Sequence, residues 1–521
     1  MSAFTVVKSE PADELELVKL VRELRVGGTF WASQPQLPSS YVLVRAPTGV
    51  AESRALAPFE PIVLWTETPP SARTGPFIIV SGECDPWHML AGAKALVTAE
   101  EDELCVIAAI LGVPVYVAHQ GTGELSLTQT PVSGLLAETL CALSFGNPFT
   151  GALMSPREAA KLCGFWRVLI DSNRDIAGGL GFAFWKQDSV APLLWSGSGN
   201  FAFLRSAHDA RPGAPVAVWR TKTRPGELAA LEDLGAPLIE VEDGFLRSRG
   251  LGADCVPPLS ITVDRIGAYF DPGQPSELEL LLQRGGFDEA LLARARRLRE
   301  LIVDAALGKY ERGGGAALER PAADRRHVLV AGQVEDDRAV QLGGCGLVSN
   351  VELLKRVREQ APDAYILYKP HPDVLAGHRR GDVSEREGLA FADSIVTNAS
   401  ISALTAMVDE IHVNTSLTGF EALLRGKPVT TYGVPFYAGW GLTRDLGPIP
   451  ARRTARRTLD ELVAATLLVY PRYLDPVTSI PCPAEVVVER LSSGLDRPSG
   501  LIVTARRLQG RLMRSFRSFK A

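Results

Sequence analysis

The chain has 521 residues, of which 46% are hydrophobic and 22% are charged, and its net charge is −5. This is the composition of an ordinary soluble globular protein, and a chain of this length builds two or three domains rather than one core. An acidic balance gives no support to nucleic-acid binding, which typically needs a basic domain. Seven cysteines without a CxxC pair indicate free thiols in a reducing compartment.

No export or membrane-spanning signal is evident in the sequence. The N-terminal residues lack a basic segment followed by an apolar one. The longest apolar run, 104–118, contains a glycine and a proline and is shorter than the roughly 20 residues of a membrane span. We therefore expect a cytoplasmic protein.

Residues 1–190 are expected to form an N-terminal region that contains a partial repeat of a later part of the chain. Residues 112–115 align with 426–429, and the strand, loop and helix before them align without a gap. An NPFT segment further along the first copy resembles a DPVT segment further along the second. These matches predict a degenerate internal repeat.

The two copies differ in the loop before the aligned helix. Glu101 and Asp102 of the first copy occupy the positions of Thr415 and Ser416 in the second. Two carboxylates in that loop would repel a phosphate. We therefore expect the first copy to be non-catalytic.

Residues 151–190 are predicted to be helical, with Ser155 as the N-cap before a proline. Residues 191–325 are predicted to form a first α/β half, which includes one long amphipathic helix over 277–303. A Gly-rich linker leads into a second α/β half over 326–490.

Three short β-rich runs organise the second half, and each is followed at once by polar residues, glycine or proline. They span residues 328–330, 365–368 and 411–413. This pattern is typical of buried parallel strands, whose carboxyl ends form the ligand-binding edge of an open α/β sheet. Two such halves with a cleft between them predict a GT-B-like pair of Rossmann-type domains, an architecture common among glycosyltransferases.

The motif TSLTGFEALLRGKPV places Thr415 and Ser416 between a strand and a helix N-terminus. Exposed N–H groups and the helix dipole favour an anion there. Gly419 permits close backbone approach, and Glu421 lies one turn further, within reach of a ribose hydroxyl. The alternative is a helix that Thr and Ser merely cap.

The motif KPHPD holds Lys369 and His371 at the end of a strand between prolines. A cation beside an imidazole suits the neutralisation or protonation of a leaving phosphate. A single histidine is more often structural, but its position after a buried strand favours a functional role.

Two acidic motifs face the same predicted cleft. GQVEDD contains Asp337, a candidate nucleophile or base, although by itself the motif also fits a solvated turn. From the other half, VEDGFLRSRGLG supplies Glu242, Asp243 and Arg247. No DxD spacing points to a metal and we expect none, although Glu335 and Asp337 could mimic such a pair.

The motifs EDGFLRSRGLGAD, GQVEDD, YKPHPD, SLTGFEALLRGKPVTTYG and PFYAGWGLTRD, in this order, resemble the KpsC-type capsular polysaccharide transferases. The resemblance covers about 145–521. Members of that family typically carry two modules, and this chain resembles one module preceded by the tail of another. The family adds β-linked Kdo to a lipid at the base of bacterial capsules.

The resemblance implies a retaining transfer of Kdo from CMP-Kdo to a lipid-linked acceptor, without a cofactor, through a covalent aspartyl-sugar intermediate. It gives Asp337 as the nucleophile, Glu242 as the acid/base and His371 as a third catalytic residue. The implied substrate-binding residues are Gln333, Lys369, Thr415, Ser416, Glu421, Arg247 and Asp243. Other capsule-assembly proteins are expected partners. The alternatives are a transferase that uses another CMP- or nucleotide-sugar, and a non-catalytic capsule export or scaffold protein.

The last segment, 491–521, is predicted to be a basic amphipathic tail. Six basic residues and no acid occur in 506–520, and Leu508, Leu512 and Phe516 share one face of a helix. Such a helix suits the anionic surface of the inner membrane, so we expect a peripheral protein on its cytoplasmic face. The alternative is a tail that packs on the body of the protein.

Overall fold

The computed structural model describes residues 11–45, 61–68, 77–98, 103–118, 125–128, 144–246, 256–305, 320–322, 324–377 and 379–495. Contacts divide the chain into two compact units, one formed by Met1–Asp175 with Leu194–Asn200, the other by Ile176–Leu193 with Phe201–Ala521. Both units are mixed α/β structures with parallel strand pairs.

The described strands of the first unit form a six-stranded sheet and a two-stranded one, β7-β8. Its strands are β1 (Tyr41–Val44), β2 (Ile62–Thr66), β3 (Ile78–Ser81), β4 (Ala93–Thr98), β5 (Val115–Ala118), β6 (Leu125–Thr128), β7 (Phe145–Gly146) and β8 (Leu153–Met154). Its helices are α1 (Pro11–Leu24), α2 (Pro86–Ala91), α3 (Glu103–Leu111) and α4 (Pro156–Asp171). The described strands pair in the order β3-β2-β1-β4-β5-β6, and only the β5–β6 pair of that sheet is antiparallel.

Apolar residues of α1 and α4 belong to the same buried core as alternate residues of this sheet. Leu17 and Val21 of α1, together with Ile170 of α4, pack in one cluster with Leu43 and Leu96. The alternation follows from the two-residue period of a strand, which sends neighbouring side chains to opposite faces. Helix α4 begins at the predicted Ser155, whose side chain forms a capping box with Glu158.

The second unit contains the remaining described strands and helices. The strands are β9 (Gly178–Leu180), β10 (Val216–Val218), β11 (Leu238–Asp243), β12 (Ser260–Asp264), β13 (His327–Ala331), β14 (Tyr365–Lys369), β15 (Ser394–Ile395), β16 (Glu410–Val413), β17 (Val429–Thr431), β18 (Arg444–Asp445), β19 (Pro471–Leu474) and β20 (Pro481–Cys482). The α-helices are α5 (Phe184–Val190), α6 (Pro225–Asp233), α7 (Glu277–Arg284), α8 (Glu289–Asp304), α9 (Arg338–Gly343), α10 (Asn350–Gln360), α11 (Pro372–Leu375), α12 (Glu385–Leu389), α13 (Ile401–Met407), α14 (Leu417–Leu424), α15 (Leu459–Val463) and α16 (Ala484–Ser492). A π-helical turn, Ala464–Val469, follows α15.

These strands form two six-stranded sheets. One has the order β20-β19-β12-β11-β10-β9, in which β9, β10 and β11 are parallel and the other pairs are antiparallel. The other has the order β15-β14-β13-β16-β17-β18 and is parallel throughout. The three strands predicted around 328–330, 365–368 and 411–413 are confirmed as its central members, β13, β14 and β16.

Two helical predictions need correction, and glycines explain both. Within 151–190, strand β9 separates α4 from α5, and Gly181 just after it adopts a φ of +83°. The single helix predicted over 277–303 is two helices, because Gly285 and Gly286 adopt φ of +62° and +81°. Backbone in that region ends a right-handed helix.

Candidate active site

A cavity of about 370 Å³ lies at the carboxyl ends of β13 and β14, beside the first turn of α14. Four of the predicted residues line it: Lys369, His371, Ser416 and Glu421. Gly332 follows β13 into the cavity wall, and Asn398 to Ile401 complete the wall on another side. The structure therefore brings the KPHPD motif and the helix of the TSLTGFEALL motif to one place.

The KPHPD motif turns sharply at the end of β14. The Lys369 ammonium donates to the carbonyl oxygen of Thr397 over 2.7 Å. His371 is the N-cap of α11, and its Nδ1 accepts the backbone N–H of Asp373 over 3.1 Å. Because Nδ1 accepts, the proton of a neutral His371 ring lies on Nε2. Both side chains line the cavity, so a cation and an imidazole are available to one anion.

Helix α14 begins with its predicted N-cap at the cavity. The Ser416 hydroxyl accepts the Thr418 N–H over 3.3 Å and lies 3.2 Å from the Thr418 hydroxyl. Leu417 and Thr418 of the first turn line the cavity, with Glu421 one turn further along. The partial positive charge of a helix N-terminus favours a negative ligand at this point.

The structure shows why a glycine is needed at position 419, which the sequence alone did not reveal. A Cβ at this position would lie 2.3 Å from the Tyr437 hydroxyl oxygen and 3.0 Å from a Val413 methyl group. The Tyr437 hydroxyl donates to the carbonyl oxygen of Ser416. The close approach that Gly419 permits is thus to Tyr437, which lies in the FYAGWG segment.

Gln333 and Thr415 bind each other and are absent from the described cavity lining. The Gln333 amide donates to the Thr415 hydroxyl over 2.8 Å, and its oxygen accepts the Thr415 N–H over 3.0 Å. Gln333 is buried. This pair joins the loop after β13 to the loop before α14, which fixes two walls of the cavity.

Asp337 lies at the start of α9, in the loop after β13, and is likewise not part of the described cavity lining. It is the N-cap of α9, but its side chain makes no capping hydrogen bond. The carboxylate is 53% exposed, and a guanidinium nitrogen of Arg379 lies 3.9 Å from it. The side chain is therefore accessible to a ligand.

Glu242 lies on β11 of the other sheet, where it shares a guanidinium with Glu240. Nη1 of Arg338, the residue after Asp337, contacts both Glu240 and Glu242, the latter at 3.2 Å. Burial, the largest cause, acts together with the nearby Asp243 and Glu240 to raise the pKa of Glu242 to about 8, against the opposing effects of Arg338 and Lys186. A carboxyl of this kind exchanges a proton near neutral pH.

The other predicted residues of the EDGF motif have different positions. Asp243 forms an ion pair of 2.8 Å with the buried Lys186, whose ammonium lies over the Trp219 ring. Asp243 is therefore engaged with the protein itself. Arg247 lies outside the described residues. Sequence analysis missed Arg338 and Arg379, because an arginine in a polar loop carries no pattern that reveals its partners.

Aromatic residues of the motifs pack together in the second unit. The ring of Phe245, just after β11, lies 4.8 Å from Phe436 and 4.9 Å from Tyr269. Phe420 of α14 packs against Phe436 as well, at 5.4 Å. This cluster ties the EDGF loop to α14 and to the FYAGWG segment.

A second cavity, of about 510 Å³, lies in the first unit. Its lining includes three carboxylates, Glu67, Glu83 and Glu103, and a single described cation, Arg45. The predicted Glu101 and Asp102 lie outside the described residues. Within the part of the chain that the structure covers, no group of three His, Cys, Asp or Glu side chains is arranged to hold a metal. No described helix is long and apolar enough to cross a membrane.

The chain is similar to proteins of capsule polysaccharide biosynthesis and modification. The model of the family described as capsule polysaccharide biosynthesis protein matches residues 217–473. The capsule polysaccharide modification protein LipA of Neisseria meningitidis serogroup A is 40% identical over 421 residues, which are 77% of this chain and 59% of LipA. The lipopolysaccharide-processing protein LpsZ of Rhizobium meliloti is 45% identical over 264 residues, 50% of this chain and 59% of LpsZ.

Two solved structures from Thermosulfurimonas dismutans are similar to the chain, each with 34% identity. The KpsC beta Kdo 2,4 transferase has a TM-score of 0.52 over 60% of this chain and 98% of its own. The KpsC beta Kdo 2,7 transferase has a TM-score of 0.50 over 62% and 100%. The chain belongs to the family of capsule polysaccharide biosynthesis proteins. It spans 49% to 59% of the length of the LipA and LpsZ relatives.

Proposed function

We propose that this chain is a retaining glycosyltransferase that moves Kdo from CMP-Kdo to a lipid-linked acceptor in capsular polysaccharide synthesis. The observation that carries the proposal is the cavity that joins Lys369, His371 and the N-terminus of α14, a combination suited to a nucleotide phosphate. Similarity to two Kdo transferases supports the choice of sugar.

The proposed architecture is a GT-B-like pair of domains. Residues 191–325 form the acceptor side and 326–490 the CMP-sugar side, which contains the cavity. Residues 1–190 carry a degenerate repeat of the CMP-sugar side. One observation supports that repeat: the described sheet of the first unit has the same strand order as the fully parallel sheet. The cavity of the first unit is lined by three carboxylates and one described cation, Arg45, a balance that disfavours a phosphate. We infer that the repeat binds no nucleotide.

The reaction proceeds in two displacements. In the first, the Asp337 carboxylate attacks the anomeric carbon, the bond from that carbon to the phosphate oxygen breaks, and CMP leaves with the electron pair. Lys369, His371 and the α14 N–H groups stabilise the charge on the departing phosphate, so the scheme needs no metal. In the second, Glu242 takes the proton of the acceptor hydroxyl, whose oxygen displaces Asp337. Two inversions retain the configuration.

The test is the release of CMP from CMP-Kdo by the purified protein and its Asp337→Asn variant. We expect the variant to lose turnover by at least about 10³-fold, because the nucleophile is gone, while calorimetry shows nearly unchanged CMP binding. Asp363→Asn, which changes an exposed carboxylate between α10 and β14, is the control. Wild-type turnover in Asp337→Asn would remove the nucleophile assignment.

A further inference from the structure

One guanidinium lies beside the two carboxylates at the start of α9. Nε of Arg379 is 3.2 Å from the nearer Asp336 oxygen, and its Nη2 is 3.9 Å from the nearer Asp337 oxygen. The three side chains are 37%, 48% and 53% exposed, in the order Arg379, Asp336, Asp337. Arg379 therefore presents a solvent-accessible cation at the proposed nucleophile, while its closer ion pair is with the neighbouring carboxylate.

The cations Arg338 and Lys369 contact other groups. Arg338 lies between Glu240 and Glu242, and its guanidinium also lies over the Phe270 ring at 5.0 Å. Lys369 lies in the cavity wall, with its ammonium on a carbonyl oxygen. In the described ion pairs, the cation beside Asp337 is Arg379.

The chemistry of the donor sugar suggests a role for a cation at the position of Arg379. In an aldose donor, the anomeric carbon carries a hydrogen atom. In a 2-ulosonic acid such as Kdo, the anomeric carbon carries a carboxylate directly. Attack by Asp337 requires that carbon to approach its oxygen to about 3–3.5 Å, which brings a second carboxylate, one bond away, next to the first. Two carboxylates so close repel each other unless a cation lies beside them.

We propose that Arg379 binds the carboxylate of the donor sugar and thereby selects a 2-ulosonic acid over an aldose. This inference rests on the proposed function, because it takes Asp337 as the nucleophile. The planar guanidinium accepts a carboxylate through two parallel hydrogen bonds. Asp336 holds Arg379 beside Asp337 until the donor carboxylate replaces it. Arg379 is thus a specificity-determining residue that contacts substrate.

The experiment measures CMP-Kdo hydrolysis and CMP binding by wild type, Arg379→Ala, Arg379→Lys and Arg380→Ala. We expect Arg379→Ala to raise the KM for CMP-Kdo at least about 10-fold, as for a lost hydrogen bond to a charged group, and to change the CMP affinity less than about 2-fold. Arg379→Lys should recover part of the loss, because it keeps the charge. Arg380→Ala is the matched control, since its exposed side chain is adjacent in sequence, and it should behave as wild type.

Two results would overturn the assignment. An unchanged KM in Arg379→Ala would show that the guanidinium does not contact the donor, and an equal loss of CMP affinity would show that it serves the nucleotide or the fold. If wild type fails to hydrolyse CMP-Kdo, the proposed function fails instead. Saturation-transfer NMR with free Kdo and its methyl ester then decides the role of Arg379: a preference for the free acid that disappears in Arg379→Ala supports it, and no such preference contradicts it.

Discussion

The proton affinity of Glu242 is set by its neighbours on several elements. Glu240 and Asp243 lie beside it on β11, Arg338 approaches from α9, and Lys186 approaches from α5. Burial and the two carboxylates favour the protonated carboxyl, and the two cations favour the ionised one. The balance leaves a group whose pKa of about 8 suits proton transfer from an acceptor hydroxyl.

We expect Glu242→Gln to remove a pH dependence of stability. A carboxyl whose pKa rises from 4.5 to about 8 on folding stabilises the folded state fully below pH 4.5. That contribution is lost as the pH rises through about 8. In urea unfolding between about pH 5 and pH 9, the free energy of unfolding of wild type should therefore fall relative to that of the variant. Glu232→Gln, at an exposed position of α6, should give a constant difference. A constant difference for Glu242→Gln too would contradict the raised pKa.

The sequence located the cavity residues that follow strands, and it missed those whose partners are distant. Lys369 ends β14, His371 lies two residues after it, and Ser416 lies three residues after β16. Parallel strands bring these carboxyl ends to one edge. Arg338 meets Glu240 and Glu242 across almost 100 residues of chain, a pairing that no local spacing encodes. Gln333 and Thr415 were predicted as ligands of the donor, but they hydrogen-bond to each other.

At the scale of elements, helix α14 depends on a contact that leaves no room for a side chain. We expect Gly419→Ala to destabilise the protein by about 1–3 kcal/mol, because its Cβ would meet the Tyr437 hydroxyl oxygen at 2.3 Å. The displaced Tyr437 would lose its hydrogen bond to Ser416 at the helix start. Urea unfolding measures the loss, and calorimetry with CMP should show weaker binding.

Tyr437→Phe supplies the control for this contact. Removing the hydroxyl from the native chain should cost about 1 kcal/mol, the usual value of a hydrogen bond. Combined with Gly419→Ala, it should restore part of the lost stability, since the oxygen that the new methyl group meets is gone. If the stability losses of the two single variants simply add in the double variant, the methyl group does not act through the Tyr437 hydroxyl.

Element boundaries were predictable where periodicity and caps agreed. Ser155 begins α4 as predicted, because a serine followed by proline and a glutamate three residues later is a strong start signal. The break between α7 and α8 was missed, although Gly285 and Gly286 are visible in the sequence. A single helix that contains two glycines and two successive helices have the same apolar spacing. The spacing alone therefore does not distinguish between them. In the structure, the positive φ angles of Gly285 and Gly286 end α7.

At the scale of the whole molecule, the proposed attachment to a membrane surface rests on the sequence of 491–521, most of which lies outside the described residues. We expect truncation after Pro498 to reduce sedimentation with anionic liposomes, since each basic residue near such a surface contributes about 1 kcal/mol. Soluble acceptor analogues should still be glycosylated. Liposomes of neutral lipid are the control, and equal sedimentation of both proteins with anionic liposomes, at low and moderate salt, would refute the membrane role.

The arrangement of the strands could be predicted only in part. The fully parallel sheet follows from its apolar runs, but the mixed sheet of the second unit does not. Strands β19 and β20 are short. They pair with each other, and β19 pairs with β12, which lies about 200 residues earlier in the chain. The sequence of 471–482 does not indicate which strand it pairs with. Over such a distance, the pairing depends on which strand edge the rest of the fold leaves unpaired.

That pairing has a consequence for how the protein is made. When β12 leaves the ribosome, the strand that covers its outer edge has not yet been synthesised, and it follows on the order of 10–40 s later at about 5–20 residues per second. Throughout that interval, one edge of β12 in the nascent chain has backbone N–H and C=O groups without hydrogen-bond partners. Such an edge can pair with an incorrect strand. Chaperone occupancy during translation should therefore persist over the whole stretch between β12 and β19, and should fall only once 471–482 have emerged.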